Sequence, residues 1–593
     1  MAGLTLHNVL LHAQSLTDSG RVPHAITFLQ QHRKSFALDP NFNALLGTLL
    51  GAVHDYTSAA GCLELAWRGG AQRADVLLNL AVCLASAGKR DRAEKLLRDG
   101  IKQFPDHAIF RSELITVLRQ AGRVRDAACE SVAQWRANPA DASLARRVCS
   151  ELLMSGDVEP LIAVTRDMRQ QVHIALEAQC NMMLQLLYSD AISREQLFEE
   201  HKRAALLLRR RVPSLPDAFT NSRDPDRKLR IAYCSQDFRN RSAGHFIEGI
   251  IASHDRERFE VYCYHHAISE DELTQRLKSR AHAWRDINGV DDYAVARLAR
   301  ADGIDIWIDL TGWTGAGRIG ICAVRAAPVQ ATYMGYASTT GLDTINVRFV
   351  DAITDPPTDA DAFATERLLR IAPCFLAYTP PHHLPAVAPG PALRDASKPI
   401  TFGSFNTYQK ITPTCLDHWC TVLRELPQSR MLIKNSHMQH AQCRDTLLAA
   451  FSQRGIGAAR IELRPETPGK DAHLATYRDI DIALDTYPYH GTTTTIEALM
   501  MGVPVITRVG ATHHARVGAS LLQAINQPDW ITTDAAQFAA AAKHLASDRA
   551  ALQTLRNTLR SRVTASPLCD TRTLAAHMET HCRALWREWC QRI

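Results

Sequence analysis

The amino-terminal part of the chain repeats itself every 34 residues. An alanine returns at this interval, and a turn-forming residue returns five positions ahead of each alanine. The alanines are Ala25, Ala59, Ala93 and Ala127, and the turn residues are Gly20, His54, Gly88, Gly122 and Gly156. A small residue at a fixed phase lets paired helices pack closely, and a glycine lets the chain reverse between them. The sequence therefore predicts stacked helix pairs over residues 1–165.

Repeats of 34 residues with a helix–turn–helix pattern resemble the tetratricopeptide family. The resemblance implies a curved surface that binds extended peptide, so protein or peptide acceptors are expected to bind through these repeats. A platform for self-association, such as a homodimer, is the alternative that the period leaves open. Residues 166–227 are predicted to be a helical extension followed by a linker rich in proline, aspartate and serine.

Beyond residue 228, apolar runs typical of buried strands alternate with segments compatible with helices. The predicted strands of the first series are residues 229–234, 259–264, 305–310 and 329–335, and the later ones lie near residues 400–406, 431–435, 461–465, 480–484 and 503–507. Such alternation predicts parallel sheets, with ligands at the carboxyl ends of the strands.

A proline-dense segment, residues 378–399, divides this alternating series in two. We therefore predict an α/β lobe over residues 228–377 and a second one over residues 400–555. Residues 556–593 are predicted to be helices that brace the lobes, with the last long helices over residues 535–559 and 574–593. Two such lobes facing a cleft are typical of the GT-B architecture of glycosyltransferases, in which the second lobe holds a nucleotide diphosphate.

Residues 484–507 combine a strand, a loop, a helix and a further strand. The loop contains Pro488 and Gly491, and four threonines, residues 492–495, lead into the helix. The amino terminus of a helix carries partial positive charge and unpaired N–H donors, so it suits a phosphate or diphosphate. A threonine that merely caps a core helix is the alternative. Four consecutive threonines exceed what one cap needs, which favours an anion site.

Composition excludes several classes of function. The net charge of +6 is too small to indicate a nucleic acid or a membrane as partner, and no apolar run approaches the length of a membrane span. The fifteen cysteines show no paired spacing, which favours reduced thiols in a cytoplasmic protein. No GxGxxG motif follows the first strand, so a dinucleotide cofactor is not expected. Asp479 and Asp481 lie within a strand-like alternation, which favours a structural role over metal binding.

Three motifs in the two lobes resemble those of one family. FGSFNTYQK, LDTYPYHGTTTTIEAL and YMGYASTTG, preceded by 34-residue repeats, are similar to the intracellular protein O-glycosyltransferases, which include O-GlcNAc transferases and Spindly-type O-fucosyltransferases. The resemblance implies an inverting, metal-independent transfer of a sugar from a nucleotide diphosphate to serine and threonine hydroxyls. It implies no cofactor beyond the nucleotide-sugar donor.

The resemblance also assigns roles to individual residues. Lys410 corresponds to the lysine that contacts the donor diphosphate and stabilises the charge of the leaving group. Glu497 corresponds to the acidic residue at the ribose, His473 to the histidine that packs on the base, and Lys470 to a lysine beside it. The donor-binding residues are therefore predicted to be Gly491, Thr492, Thr493, Thr494, Glu497, His473 and Lys470.

Two positions depart from the family pattern. Arg241 occupies the position where a histidine usually follows the S-x-D-F motif, and Trp313 stands where the family often reads histidine in G-H-T. Arginine cannot act as a general base at neutral pH. The remaining candidates for deprotonating the acceptor are His245, at the first turn of the following helix, and the carboxylate of Asp237.

The sequence leaves the donor open between two nucleotide sugars. Lys470 ahead of His473 favours UDP-GlcNAc, the leading hypothesis, whereas the GTTTTIEALMMGVP segment resembles the Spindly type and favours GDP-fucose. A third hypothesis is a repeat scaffold whose lobes bind nucleotide without catalysis, and the departures at Arg241 and Trp313 motivate it.

Overall fold

The computed structural model describes residues 5–315, 317–381 and 383–592. The chain divides into two compact units. One unit contains the chain up to Ser155 together with His440–Cys443, and the other contains Gly156–Gln439 and the chain from Arg444 onward.

The first unit is a series of antiparallel helix pairs. Its helices are α1 (Leu6–Asp18), α2 (Val22–Phe36), α3 (Pro40–Ala52), α4 (Tyr56–Arg68), α5 (Ala74–Ser86), α6 (Arg90–Gln103), α7 (Ile109–Gln120), α8 (Val124–Ala137) and α9 (Ala142–Ser155). Each helix packs mainly on its neighbours in the chain, as expected for a repeat array.

The 34-residue period has a direct cause in the backbone. All five turn residues adopt a positive φ, from 65° at His54 to 82° at Gly88. This left-handed conformation is one that glycine adopts without steric cost. All four phase-related alanines are fully buried, on the second helix of each pair. Turn and contact therefore recur together, which confirms the predicted repeats.

The turns allow a matched test of this account. We expect Gly88→Ala to destabilise the α5–α6 pair by about 1 kcal/mol, because φ at this position is +82° although no atom lies near the added methyl group. Gly61→Ala is the control, because Gly61 is exposed within α4 at an ordinary helical φ. That change should stabilise α4 by about 0.5–1 kcal/mol. Amide hydrogen exchange of each helix pair measures both effects, and shifts of the same sign would contradict the explanation.

The second unit begins with three more helices. These are α10 (Val158–Met168), α11 (Ala175–Leu186) and α12 (Arg194–Arg209). A buried apolar cluster joins α11 and α12 to the first α/β lobe, through residues such as Met183, Ala204 and Ala323.

The first α/β lobe is built on a parallel sheet. Its elements are β1 (Leu229–Ser235), α13 (Ser242–Ser253), β2 (Phe259–His265), α14 (Glu272–Arg280), β3 (Ala283–Asp286), α15 (Asp292–Ala301), β4 (Ile306–Asp309), α16 (Gly320–Val324), β5 (Val329–Tyr333), β6 (Val347–Val350) and β7 (Arg367–Arg370). The strand order is β3-β2-β1-β4-β5-β6-β7. Burial on both faces explains the apolar runs of the central strands.

The second lobe repeats this plan with a shorter sheet. Its elements are α17 (Pro391–Arg394), β8 (Thr401–Ser404), α18 (Pro413–Glu425), β9 (Arg430–Lys434), α19 (Ala441–Gln453), β10 (Ile461–Arg464), α20 (Lys470–Ala475), β11 (Ile482–Leu484), α21 (Thr493–Met500), β12 (Val505–Arg508), α22 (Val517–Ala524) and β13 (Ile531–Thr532). The strand order is β10-β9-β8-β11-β12-β13, again parallel. The predicted fold class, helical repeats followed by parallel α/β lobes, is confirmed.

The chain ends in α23 (Ala535–Ser547), α24 (Arg549–Thr564) and α25 (Thr571–Gln591). The single helix predicted over residues 535–559 is wrong. Asp548 interrupts it, because its side chain accepts hydrogen bonds from the amides of Ala550 and Ala551 and so caps α24. The last helix returns to the first lobe, where it packs on α13 and β5. In the described residues no helix combines the length and apolar character that crossing a membrane requires.

Candidate active site

Both sheets reverse their strand order at their centre, and the two reversal points face one cleft. The order reverses between β1 and β4 in the first lobe and between β8 and β11 in the second. Loops at the carboxyl ends of strands on either side of such a reversal form the usual ligand site of a parallel sheet. Here these loops enclose a cleft of about 330 Å³.

The cleft is lined by residues from all four of these loops. The first lobe contributes Asp237, Ser242, Leu310, Thr311, Thr314 and Met334, and the second contributes Asn406, Thr407, Lys410, Tyr489, Thr492, Thr493 and Thr494. Five of the predicted site residues therefore lie in one cleft: Asp237, Lys410 and the three threonines. His245, Gly491, Glu497, His473 and Lys470 lie outside its immediate lining.

Lys410 is the cation of the cleft wall. It follows β8 on a short 3-10 turn, and its Nζ donates a hydrogen bond to the carbonyl oxygen of His490 at 2.8 Å. The same nitrogen lies 4.3 Å from the centre of the Tyr489 ring. Burial lowers the pKa of Lys410 to about 8, and the charge of Asp485 opposes the shift. An anion in the cleft would stabilise the ammonium form.

The loop that receives Lys410 is held by two buried side chains. Asp485 accepts hydrogen bonds from the amide of Gly491 at 2.7 Å and from the hydroxyl of Thr507 at 2.8 Å. His490 donates from Nε2 to the carbonyl of Arg508 at 2.8 Å and accepts at Nδ1 from the amide of Gly518. Burial lowers the pKa of His490, so its imidazole is neutral. The loop is thus fixed before any ligand binds.

Helix α21 begins at the cleft with its amino terminus exposed to it. The side chain of Thr492, the residue before the helix, caps none of its amides, so the first N–H groups remain available to a ligand. The hydroxyl of Thr494 donates to Asn406 at 2.9 Å, which links the two loops of the second lobe. Gly491 permits this close packing, since a Cβ there would lie 2.5 Å from the Thr494 hydroxyl.

A chain of polar contacts extends from β9 to α21. Lys434 is buried and donates to Nδ1 of His473 at 2.7 Å, and Nε2 of His473 lies 3.0 Å from the carboxylate of Glu497. Lys470 forms an ion pair with the same carboxylate. Burial would raise the pKa of Glu497, but the contacts with His473 and Lys470 hold it below its ordinary value. The predicted ribose and base residues are thus assembled together.

Lys434 is part of this assembly although the sequence did not single it out. Burial lowers its pKa to about 8. Its position at the last residue of β9 is the only available signal, because carboxyl ends of central strands face the ligand.

The two candidates for the general base differ in their surroundings. Asp237 follows β1, lines the cleft, and among the described residues has no hydrogen bond or ion pair to its carboxylate. Burial raises its pKa, and Arg239 and Arg241 oppose the shift. His245 is buried within α13 and its Nε2 donates to Asn240 at 2.9 Å. Burial lowers the pKa of His245. Geometry therefore favours Asp237.

The two positions that depart from the family pattern serve structure. Trp313 is buried in the first lobe and donates from Nε1 to the carbonyl of Thr340 at 2.8 Å. Its loop is held by Asp309, which accepts from the amide of Gly312 at 2.6 Å and from the hydroxyl of Thr311 at 2.9 Å. Arg241 is exposed at the residue before α13.

The acidic pair near β11 also serves structure. Asp481 is buried and accepts from the amides of Ala392 and Thr401, so it ties the linker to the sheet. Asp479 pairs with Arg464 at 2.6 Å.

A family model described as glycosyl transferase family 41 matches residues 199–379 and 392–578, which carry both lobes and the whole cleft. The chain belongs to glycosyl transferase family 41. A tetratricopeptide model also matches residues 52–112. The resemblance inferred from the motifs and the repeats is confirmed.

Curated relatives of this family 41 chain carry consistent names. A probable UDP-N-acetylglucosamine–peptide N-acetylglucosaminyltransferase SPINDLY of Petunia hybrida is 37% identical over 414 residues, which are 69% of this chain and 44% of the relative. The corresponding enzyme SEC of Arabidopsis thaliana is 29% identical over 61% of this chain and 38% of its own. The match thus spans less than half the length of these relatives.

A solved structure extends the similarity to the full chain. An O-GlcNAc transferase mutant of Thermobaculum terrenum is 29% identical, with a TM-score of 0.65, and the match covers 98% of this chain and 97% of the other. The order of helical repeats and two α/β lobes is therefore shared with a family 41 protein.

Proposed function

We propose that this chain is an inverting glycosyltransferase that moves a sugar from a nucleotide diphosphate to serine or threonine hydroxyls of proteins. UDP-GlcNAc is the favoured donor. The observation that carries the proposal is the meeting of the Lys410 ammonium group and the amino terminus of α21 in one cleft. Both features stabilise a diphosphate, and both come from the second lobe.

The proposed reaction is a single displacement at the anomeric carbon. The acceptor oxygen forms a bond to that carbon while its bond to the diphosphate oxygen breaks, and the electron pair leaves with the diphosphate. Negative charge grows on the leaving group, where Lys410 and the α21 amides are preorganised to stabilise it. The acceptor proton passes to Asp237, the carboxylate on the first-lobe wall of the cleft.

The nucleoside is assigned to the polar assembly behind the diphosphate site. Glu497 offers carboxylate oxygens to ribose hydroxyls, and His473, with its tautomer fixed by Lys434, offers an imidazole face to the base. These contacts support a nucleotide donor but do not discriminate between uracil and guanine. The names of the relatives support UDP-GlcNAc.

The acceptor is proposed to be a protein bound through the tetratricopeptide repeats. The scattered cysteines support the cytoplasm as the compartment. Transfer of fucose from GDP-fucose is the second candidate, and the four-threonine segment that resembles the Spindly type favours it.

Calorimetric titration of the full chain with UDP and with GDP tests the donor. We expect UDP to bind at least tenfold more tightly, a difference of about 1.4 kcal/mol. A preference for GDP would replace the leading donor by the second candidate.

Incubation with radiolabelled UDP-GlcNAc and a cell lysate tests the transfer. We expect label in protein bands that β-elimination removes, as O-linked sugars require. A parallel incubation with labelled GDP-fucose is the matched control. Nucleotide binding without labelled protein from either donor would contradict the enzyme and favour the inactive scaffold.

A further inference from the structure

Tyr489 lies against the ammonium group of Lys410 and has no part in the function proposed above. The centre of its ring is 4.3 Å from Nζ, which is within the range of a cation–π interaction. The ring also lines the cleft. Lys410 therefore has two electron-rich neighbours on one loop, the Tyr489 ring and the carbonyl oxygen of His490 at 2.8 Å.

The ring of Tyr489 is fixed by other residues. Tyr188 packs on it with ring centres 5.1 Å apart and planes tilted by 52°, and His514 stacks on it at 5.7 Å. The carbonyl of Tyr489 accepts a hydrogen bond from the hydroxyl of Thr486 at 2.7 Å. Tyr188 belongs to the segment between α11 and α12, outside both α/β lobes.

The other titratable groups that act on Lys410 are few in the described chain. Asp485, after β11, is an anion and favours the ammonium form, whereas His490 is buried and neutral. Burial of Lys410 works against its charge and lowers its pKa to about 8. A neutral amine could not stabilise a leaving diphosphate, so any group that favours the charged form supports transfer.

We infer that Tyr489 is a positioning residue that holds the ammonium group of Lys410 through the face of its ring, and that Tyr188 supports this ring from the helical segment. The inference rests on the proposed function of Lys410. Its action is indirect, because the tyrosine ring acts on the lysine and the lysine acts on the diphosphate.

The pH dependence of transfer reports this action. Activity needs the charged lysine, so kcat/KM falls as pH rises through the pKa of Lys410 in the free enzyme. Removing the ring in Tyr489→Leu should move this alkaline limb down by about half to one pH unit and lower kcat/KM at pH 8 by about threefold to tenfold. Tyr489→Phe keeps an aromatic face and should keep the limb in place.

Tyr188→Leu provides a second, independent variant. It leaves the cleft untouched and should shift the limb in the same direction by less than Tyr489→Leu does. If Tyr489→Leu fails to fold, as judged by its thermal melting, Tyr188→Leu decides the inference. Unchanged limbs in the folded leucine variants, or equal shifts in Tyr489→Phe and Tyr489→Leu, would overturn it.

A measurement without turnover separates this inference from the proposed function. The rate at which acetic anhydride acetylates Lys410, followed by peptide mass spectrometry across pH, gives the pKa of this amine directly. We expect the leucine variants to acetylate faster at pH 7 to 8 than Tyr489→Phe. An unshifted profile overturns the inference even if Lys410 is essential. A shifted profile in a protein without transfer activity upholds it while the proposed function fails.

Discussion

Lys410→Ala is expected to lower turnover by about two to three orders of magnitude, the effect of removing one preorganised group that stabilises developing charge. The lysine side chain contacts the His490 carbonyl and the Tyr489 ring, both on a loop that Asp485 and His490 hold independently. The loop should therefore keep its conformation, and the melting temperature should change little. Steady-state rates on one acceptor peptide measure the effect.

Two further lysine variants sharpen this test. Lys410→Arg should restore little activity, because a planar guanidinium does not replace a compact ammonium in a shaped pocket. Lys398→Ala is the matched control, because Lys398 is an exposed lysine of the same lobe and should show unaltered rates. Near-normal turnover of Lys410→Ala would end the assignment of this residue to the diphosphate.

Asp237→Asn is expected to lower kcat by about two to four orders of magnitude, the contribution of a positioned general base. The base must be ionised, so activity is lost as pH falls through its pKa. Burial raises that pKa, so the acid limb should lie above the ordinary range of an aspartate. The limb should disappear in Asp237→Asn. The pH profile of kcat with saturating donor measures both effects.

His245→Gln is the control for the choice of base. The imidazole of His245 is engaged with Asn240 and lies outside the lining of the cleft, so its loss should lower kcat by less than about tenfold. The histidine would become the base if His245→Gln lost as much activity as Asp237→Asn and also lost the acid limb.

The predictions from sequence succeeded where the signal is periodic or local. The 34-residue period indicated the repeats because the chain needs a left-handed turn and a small contact residue at fixed phases. Apolar runs revealed the central strands. The short strands β3, β6 and β7 escaped, since each has only four residues and β3 and β7 carry arginines that interrupt the apolar pattern.

The site was less accessible from the sequence because much of it depends on contacts between distant segments. Lys410 and the threonines follow recognisable motifs, but Asp485 acts by fixing the loop after β11 and Tyr489 by facing a lysine 79 positions earlier. No local pattern shows such pairings. Trp313 and Arg241 illustrate the converse, since replacing a histidine of the motif indicated a lost function, whereas Asp237 still lines the same wall of the cleft.

The return of α25 to the first lobe has a consequence for how the protein is made. The sheet of that lobe ends at β7, but α25, which covers α13, begins about 200 residues later. His254 and Glu579, 325 positions apart, form a buried hydrogen bond at 2.8 Å where the two helices meet. At about 5–20 residues per second, the ribosome needs about ten to forty seconds to supply those residues. The apolar face of α13 therefore stays uncovered during synthesis of the entire second lobe, a period in which a nascent chain depends on chaperones.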